Sequence, residues 1–370
     1  MAAASEAPLR LLVLPGDGIG PEVTDQALRV VAWFAPHLGR PLRITYGLVG
    51  GASIDACDEA VSDAVVAEAK AADAVLFGAV GGEQWDHRPV GQRPESGIIR
   101  LRRDLDVFAN LRPAVAYPEL ADASALRPEL VDGLDIVIVR ELTSGVYFGR
   151  PRGQETGADG TRRAFDTQAY TEGEIARVCR TAFELARGRS GRLCSVDKAN
   201  VMETGRLWRA VAGEVGAEFP DVELSHMYAD NCAMQLLRRP RQFDVIVTDN
   251  LFGDILSDAA AMLTGSLGLA PSASLGLPRP DGQALGLYEP VHGSAPDIAG
   301  QGIANPLAAI LSFALCLKHS FGRPDLAAQL DAAVRQVLRQ GFRTPDIMSP
   351  GGRQVGTAEM TDAVLAALEI

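Results

Sequence analysis

The sequence predicts an α/β protein in two domains, built on a largely parallel sheet and distinct from a Rossmann fold. Three observations carry that expectation. Short apolar runs alternate with amphipathic helical stretches along most of the chain, the pattern of strand–helix–strand units. A length of 370 residues is too great for one average core. The glycine-rich turn after the first strand, PGDGIGPEV, spaces Gly16, Gly18 and Gly20 as GxGxG closed by Pro21. A dinucleotide fingerprint needs GxGxxG and an acidic residue ending a second strand, and neither is present. What remains is a tight strand-to-helix turn with close backbone approach.

Taken in order, Leu9 to Leu14 reads as a buried strand, followed by a helix to about Phe34. A strand near Leu42 to Leu48, a helix around Glu59 to Lys70 and a strand from Ala74 to Val80 continue the alternation. A helix from Glu95 to Leu105 carries Arg100, Arg102 and Arg103; FANLRP follows, then a strand block from Leu134 to Glu141. Between Phe148 and Gln168 the periodicity fails in a Gly-, Arg- and Thr-rich stretch, which reads as a protruding hairpin or flexible loop. Helices at Thr171 to Arg187 and Glu203 to Glu214 then alternate with strands at Arg192 to Val196 and up to Tyr228. After a helical MYADNCAMQLLRR comes the strand Phe243 to Val247, with a helix running to Leu263. The stretch Gly265 to Gly286 reads as loop-rich, ending in a strand, and three helical blocks (Leu307 to Ser320, Leu326 to Arg339, Thr357 to Leu368) finish the chain.

Composition narrows the function. The net charge of −12, from 35 basic and 47 acidic residues, argues against nucleic acid as the main partner. No apolar run reaches membrane-spanning length, and MAAASEAPLR lacks the basic and apolar regions of a secretory signal. Five scattered cysteines without a CxxC are expected to be reduced thiols, so a cytoplasmic location is expected. The positive charges are almost all arginine, and the only lysines are Lys70, Lys198 and Lys318. A lysine retained against that drift invites scrutiny, because lysine can act as a base and arginine cannot. Lys198, in SVDKANV just after a strand, is the conspicuous one.

In TDNLFGDILSD, Asp254 and Asp258 are four apart, so on a helix both carboxylates share one face. Two acids so placed suit a hard divalent cation, Mg²⁺ or Mn²⁺. They equally suit a helix start with a solvated acid one turn on.

Six motifs occur in register: PGDGIGPEV, FANLRP, VRELTSGVYFG, SVDKANV, TDNLFGDILSD and EPVHGSAPDIAGQGIANP. Together, from about Leu9 to Leu368, they resemble the β-decarboxylating dehydrogenases of the isocitrate/isopropylmalate type, most closely the isopropylmalate branch. The resemblance implies two α/β domains sharing a central sheet. Residues 1–107 with 265–370 would hold the cofactor, and 108–264 would bind substrate and a second subunit, with residues 148–168 as a clasping arm. It implies NAD⁺-dependent oxidation and decarboxylation of a 2-hydroxy acid in leucine biosynthesis, by a homodimer whose active site is shared.

Site residues follow from the matched positions. The resemblance assigns substrate carboxylates to Arg102, Arg112 and Arg140, which suits the bidentate geometry of guanidinium. It assigns the metal to Asp254 and Asp258, with Asp230 of HMYADNCAM from a neighbouring subunit, where that aspartate also meets substrate. Lys198 matches the lysine that removes the hydroxyl proton across the dimer, and Tyr147 the acid that protonates carbon after CO₂ leaves. Cofactor residues would be Glu95, His292, Gly293, Ser294, Ala295, Asp297, Ile298 and Asn305. A carboxylate at Asp297 can accept from both ribose hydroxyls and would repel a 2′-phosphate, so NAD⁺ is expected rather than NADP⁺.

Ile98 and Ile99 stand where isocitrate enzymes carry a polar partner for a third carboxylate. Burying an unpaired carboxylate against them would be costly, whereas an isopropyl group gains about 0.8 kcal/mol per buried carbon. Isopropylmalate enzymes usually show leucines here, a mild departure. Sibling enzymes acting on homoisocitrate, isocitrate or tartrate are the near alternative, and a non-catalytic subunit of a related oligomer the distant one.

Overall fold

Alternation along the strands decides the architecture. In β1 (Leu9–Gly16), Leu11 and Val13 enter one buried cluster while Leu12 and Leu14 enter another, so both faces of the strand are covered. The structure is a computed structural model and describes residues 7–123 and 126–368. The first part of the chain runs α1 (Gly20–Phe34), β2 (Leu42–Tyr46), α2 (Gly51–Cys57), α3 (Asp63–Ala71), β3 (Ala74–Ala79) and α4 (Glu95–Asp104). The middle comprises β4 (Ala109–Val115), α5 (Pro128–Val131), β5 (Asp135–Glu141), β6 (Gly153–Thr156), β7 (Arg162–Phe165), α6 (Glu172–Arg187) and β8 (Arg192–Asp197). It continues through α7 (Glu203–Gly216), β9 (Glu223–Tyr228), α8 (Ala229–Arg238), β10 (Val245–Thr248) and α9 (Asn250–Leu263). The chain closes with β11 (Pro271–Pro278), β12 (Ala284–Pro290), α10 (Leu307–His319), α11 (Pro324–Arg339), β13 (Phe342–Arg343), β14 (Arg353–Gln354) and α12 (Thr357–Leu368).

Among the described residues, ten strands form one sheet in the order β2-β1-β3-β12-β11-β4-β5-β10-β8-β9. Pairings toward both edges are parallel; β12–β11, β11–β4 and β4–β5 in the middle are antiparallel. The largest apolar cluster lies on one face and draws on α1, α6, α7, α10, α11 and α12. The opposite face is divided, with α3 and α4 packing near β1, β3 and β12, and α8 and α9 packing near β5, β8 and β10. That division leaves a cleft between α4 and α9, floored by the central antiparallel strands. The sheet is therefore continuous across the molecule, as the resemblance implied.

Two local expectations need correction. The helix expected around Glu59 begins only at Asp63, where Ser62 Oγ accepts from Val65 N, and the sequence reading left out α2 altogether. The loop-rich stretch Gly265 to Gly286 contains β11, a central strand. Its residues are small (Ser272, Ala273, Ser274) because α10 crosses closely, with Ser272 N donating to Ser312 Oγ at 3.4 Å. Strand propensity is weak in such a segment, and tertiary packing outweighs it. The stretch Phe148 to Gln168 contains the β6–β7 hairpin, exposed along nearly its whole length.

Candidate active site

The cleft floor brings together residues from four elements. Asp249 caps α9, its Oδ1 accepting from Phe252 N at 2.8 Å, and this fixes how the helix leaves β10. Asp254 and Asp258 then face the cleft one turn apart. Asp254 Oδ1 accepts from Arg140 Nη1 at 2.6 Å, and Arg112 Nη1 lies 3.5 Å from the same oxygen. Arg112 Nη1 also donates to Asp258 Oδ1 at 3.0 Å. Tyr147, on the short 3₁₀ turn Gly145–Tyr147, donates its hydroxyl to Asp254 Oδ2 at 2.9 Å.

The two arginines are buried on central strands and held by neutral partners. Arg112 Nε donates to Asn110 Oδ1 and its Nη1 to Ser257 Oγ, both at 2.8 Å. Arg140 Nε donates to Asn250 Oδ1 at 3.0 Å, and its guanidinium stands 5.7 Å from the Tyr147 ring centroid. Across the cleft, Arg102 of α4 pairs with Glu289 of β12 at 2.5 Å.

Electrostatics divide the roles. Burial alone would raise the Asp254 carboxyl, but Arg140 and Arg112 outweigh it and hold the group below its ordinary value. Asp258 is raised by burial and by Asp254, against the pull of Arg112. Burial, then Asp254, raises Tyr147, so its hydroxyl keeps its proton and can act as a donor. Burial and repulsion from Arg112 draw Arg140 down to about 10.

Lys198 and Asp230 stand apart from this group. Lys198 Nζ lies 2.6 Å from Asp230 Oδ1, and that contact lowers the Asp230 pKa. Among the described residues, neither makes a hydrogen bond or ion pair with Tyr147, Asp254, Asp258 or the three arginines. No three His, Cys, Asp or Glu side chains among the described residues gather to hold a metal within one chain. Asp254 and Asp258 nonetheless offer hard oxygen ligands on one helix face, so the donor set fits a divalent cation needing further ligands from outside.

The expected cofactor segment packs against the glycine turn. Ile19 N donates to Ser294 O at 2.7 Å, and Gly18 has φ +58° with Ser294 O only 2.0 Å from where a Cβ would stand. Asp17 ties this turn to its neighbours by accepting from Gly51 N, Ala52 N and Gly81 N. The motif thus fixes loops by backbone approach. Glu95 lies beside this group, its Oε1 3.0 Å from where a Gly81 Cβ would stand.

His292 Nδ1 contacts Gly293 O at 3.0 Å, a carbonyl that can only accept. Its buried Nε2 is therefore left as an acceptor without a partner among the described residues, and burial lowers the imidazole pKa so that the ring stays neutral. That orphaned atom fits an N–H-bearing ligand. Gly293 and Asp297 are exposed beside it, Ala295 and Ile298 are half-buried, and Asn305 is engaged with Asp346 and Leu307 N.

The two isoleucines separate. Ile98 is 6% exposed within the cluster under α4, whereas Ile99 is 38% exposed. Adjacent helical residues point about 100° apart, so only Ile99 of the pair reaches the surface of α4. Glu289, Asn250, Asn110 and Ser257 also belong to the polar cluster of the cleft, and the sequence shows them only as letters within the quoted motifs.

Comparison with known proteins adds lineage to this geometry. The family model described as isocitrate/isopropylmalate dehydrogenase matches residues 10–364. A 3-isopropylmalate dehydrogenase of Gluconobacter oxydans is 58% identical over 97% of this chain and 98% of its own length. One from Cereibacter sphaeroides is likewise 58% identical, over 97% and 98%. The crystal structure of an isocitrate dehydrogenase from Methylococcus capsulatus superposes with a TM-score of 0.84 at 34% identity, covering 98% of this chain and 100% of that one. With near-complete coverage in each comparison, the chain belongs to the isocitrate/isopropylmalate dehydrogenase family.

Proposed function

We propose that the protein oxidises and decarboxylates (2R,3S)-3-isopropylmalate to 4-methyl-2-oxopentanoate and CO₂ with reduction of NAD⁺, a step of leucine biosynthesis. The observation that carries this is the convergence of Arg112, Arg140 and Tyr147 on Asp254, with Asp258 one turn on and Arg102 across the cleft. Relatives named for isopropylmalate are far more similar than the structure named for isocitrate, at 58% against 34% identity, which favours this acid over its sibling. The exposed Ile99 points the same way, since it offers an isopropyl group an apolar contact and a third carboxylate no partner.

In this reading Arg102, Arg112 and Arg140 hold the substrate's two carboxylates and orient its C2–H. Lys198 of the partner subunit takes the hydroxyl proton as hydride leaves C2. After the C3 carboxylate departs as CO₂, Tyr147 donates its proton to C3 of the enolate. Bound at Asp254, Asp258 and Asp230 of the partner subunit, Mg²⁺ or Mn²⁺ would acidify the hydroxyl and stabilise developing oxyanion charge. NAD⁺ bound along residues 292–298, with Glu95 and Asn305, would supply the hydride acceptor. The free His292 Nε2 acceptor suits the exocyclic amine of adenine, and the exposed Asp297 suits a ribose without 2′-phosphate.

The division of residues 1–107 with 265–370 from 108–264 is part of the proposal, with the central antiparallel strands as the seam. So is the homodimer. Met234 and Leu237 on α8, with Ile255 and Met262 on α9, are exposed large apolar side chains on neighbouring helices. Among the described residues the β6–β7 hairpin pairs only with itself, and it would gain cover from a second copy. No helix among the described residues is long and apolar enough to cross a membrane.

Initial rates of NADH formation with Mg²⁺ and each of 3-isopropylmalate, isocitrate, homoisocitrate and tartrate test the reading. The highest kcat/KM is expected for 3-isopropylmalate; faster turnover of any sibling acid overturns the substrate assignment.

A further inference from the structure

Asn250 opens α9 and is fully buried, at 0% exposure. Its side-chain amide spans two functional elements. Oδ1 accepts from Arg140 Nε at 3.0 Å, while Nδ2 donates to Ser144 O at 2.9 Å. Ser144 directly precedes the short turn that carries Tyr147. One helical turn after Asn250, Asp254 takes Arg140 Nη1 and the Tyr147 hydroxyl. Arg140 and the tyrosine turn are thus each held at two points by the same helix. Between those points Gly253 leaves no slack, because a Cβ there would stand 2.6 Å from Arg140 Cγ.

We propose that Asn250 is a positioning residue for the reaction, setting Arg140 and the Tyr147-bearing turn in one register on α9. The inference rests on the functional reading above. It follows from the donor and acceptor inventory: the site needs an acceptor toward a guanidinium and, one atom away, a donor toward a carbonyl. An amide supplies both. A carboxylate of the same shape supplies only the acceptor, and an alanine supplies neither.

The test compares wild type, Asn250→Ala and Asn250→Asp in steady-state kinetics with 3-isopropylmalate, NAD⁺ and Mg²⁺, alongside NADH binding by fluorescence and thermal melting. In the alanine variant the KM for the acid should rise about tenfold as Arg140 loses its anchor. Its kcat should fall about 100-fold as the Tyr147 turn shifts. NADH affinity should stay within about twofold, since the cofactor segment shares no partner with Asn250. Asn250→Asp should recover KM more than kcat, because it keeps the acceptor and lacks the donor. A purely structural role would instead lower kcat through the folded fraction, leave KM unchanged and weaken NADH binding in parallel.

That outcome, or wild-type kcat and KM in the alanine variant, overturns the inference. Should the alanine variant fail to fold, the split between KM and kcat in Asn250→Asp decides, and parallel changes in the two overturn it. Wild-type protein that reduces no NAD⁺ with any of the acids overturns the functional reading and this inference together. Active wild type beside unaffected variants overturns the inference alone.

Discussion

Ile98 and Ile99 illustrate how one residue of displacement on a helix changes what a side chain does. Ile98 is packed in the cluster beneath α4, so Ile98→Ala should destabilise the protein by about 2–5 kcal/mol while leaving the preference among acids unchanged. Ile99 faces outward, and Ile99→Ala should leave stability nearly intact while lowering kcat/KM for 3-isopropylmalate about tenfold. Denaturant unfolding and the acid panel, run on both variants, check the pair. A selectivity change in Ile98→Ala without loss of stability would contradict the assignment.

The arginines, acids and tyrosine gathered around Asp254 were legible in the sequence because the chemistry of binding carboxylates, a cation and a proton calls for those residue types within the motifs. Asn250 and Glu289 were not, for a physical reason. Nothing in a sequence tells an asparagine at a helix start from one that braces a guanidinium. Glu289 meets Arg102 only through a contact spanning 187 positions.

At the scale of elements, the turn between β5 and Tyr147 rests on a buried acid. Glu141 is 0% exposed, and its carboxyl accepts from Thr143 N, Thr143 Oγ1 and Ser144 N. Burial outweighs those donors and pushes its pKa up to about 7. The folded protein therefore holds this proton between the ordinary carboxylate value of 4.5 and about 7, where the unfolded chain has released it. The native state binds more protons across that window, so the group's contribution is full below it and is lost as pH rises through about 7. The Tm of wild type minus that of Glu141→Gln should accordingly fall from pH 5 to pH 8. A signed difference that stays constant over this range would mean that Glu141 is ionised throughout.

Elements also differ in how plainly the sequence announced them. The apolar strands β1, β3, β5 and β10 and the amphipathic α6, with its Thr171–Glu174 capping box, carry strong local signals. By contrast, β11 carries small residues at Ser272, Ala273 and Ser274 where α10 crosses, and α2 is a short helix that opens on glycine. Their form is imposed by neighbours, so local pattern did not reveal them.

For the whole molecule, the continuous sheet explains why the arginines and the α9 acids sit together while Lys198 and Asp230 do not. β4, β5 and α9 meet at the centre, whereas Lys198 follows β8 and Asp230 follows β9, next to each other at the far edge. A two-fold pairing through the exposed apolar faces of α8 and α9 would let that edge pair serve a second copy. In the proposed dimer each active site would take Tyr147 from one chain and Lys198 from the other.

Mixing the two inactive variants Tyr147→Phe and Lys198→Met, followed by unfolding and refolding together, tests it directly. If the site is shared, half the dimers are mixed and one of their two sites is intact, giving about one quarter of wild-type activity. If each chain builds its own site, every site carries a lesion and the refolded mixture stays as inactive as either variant alone.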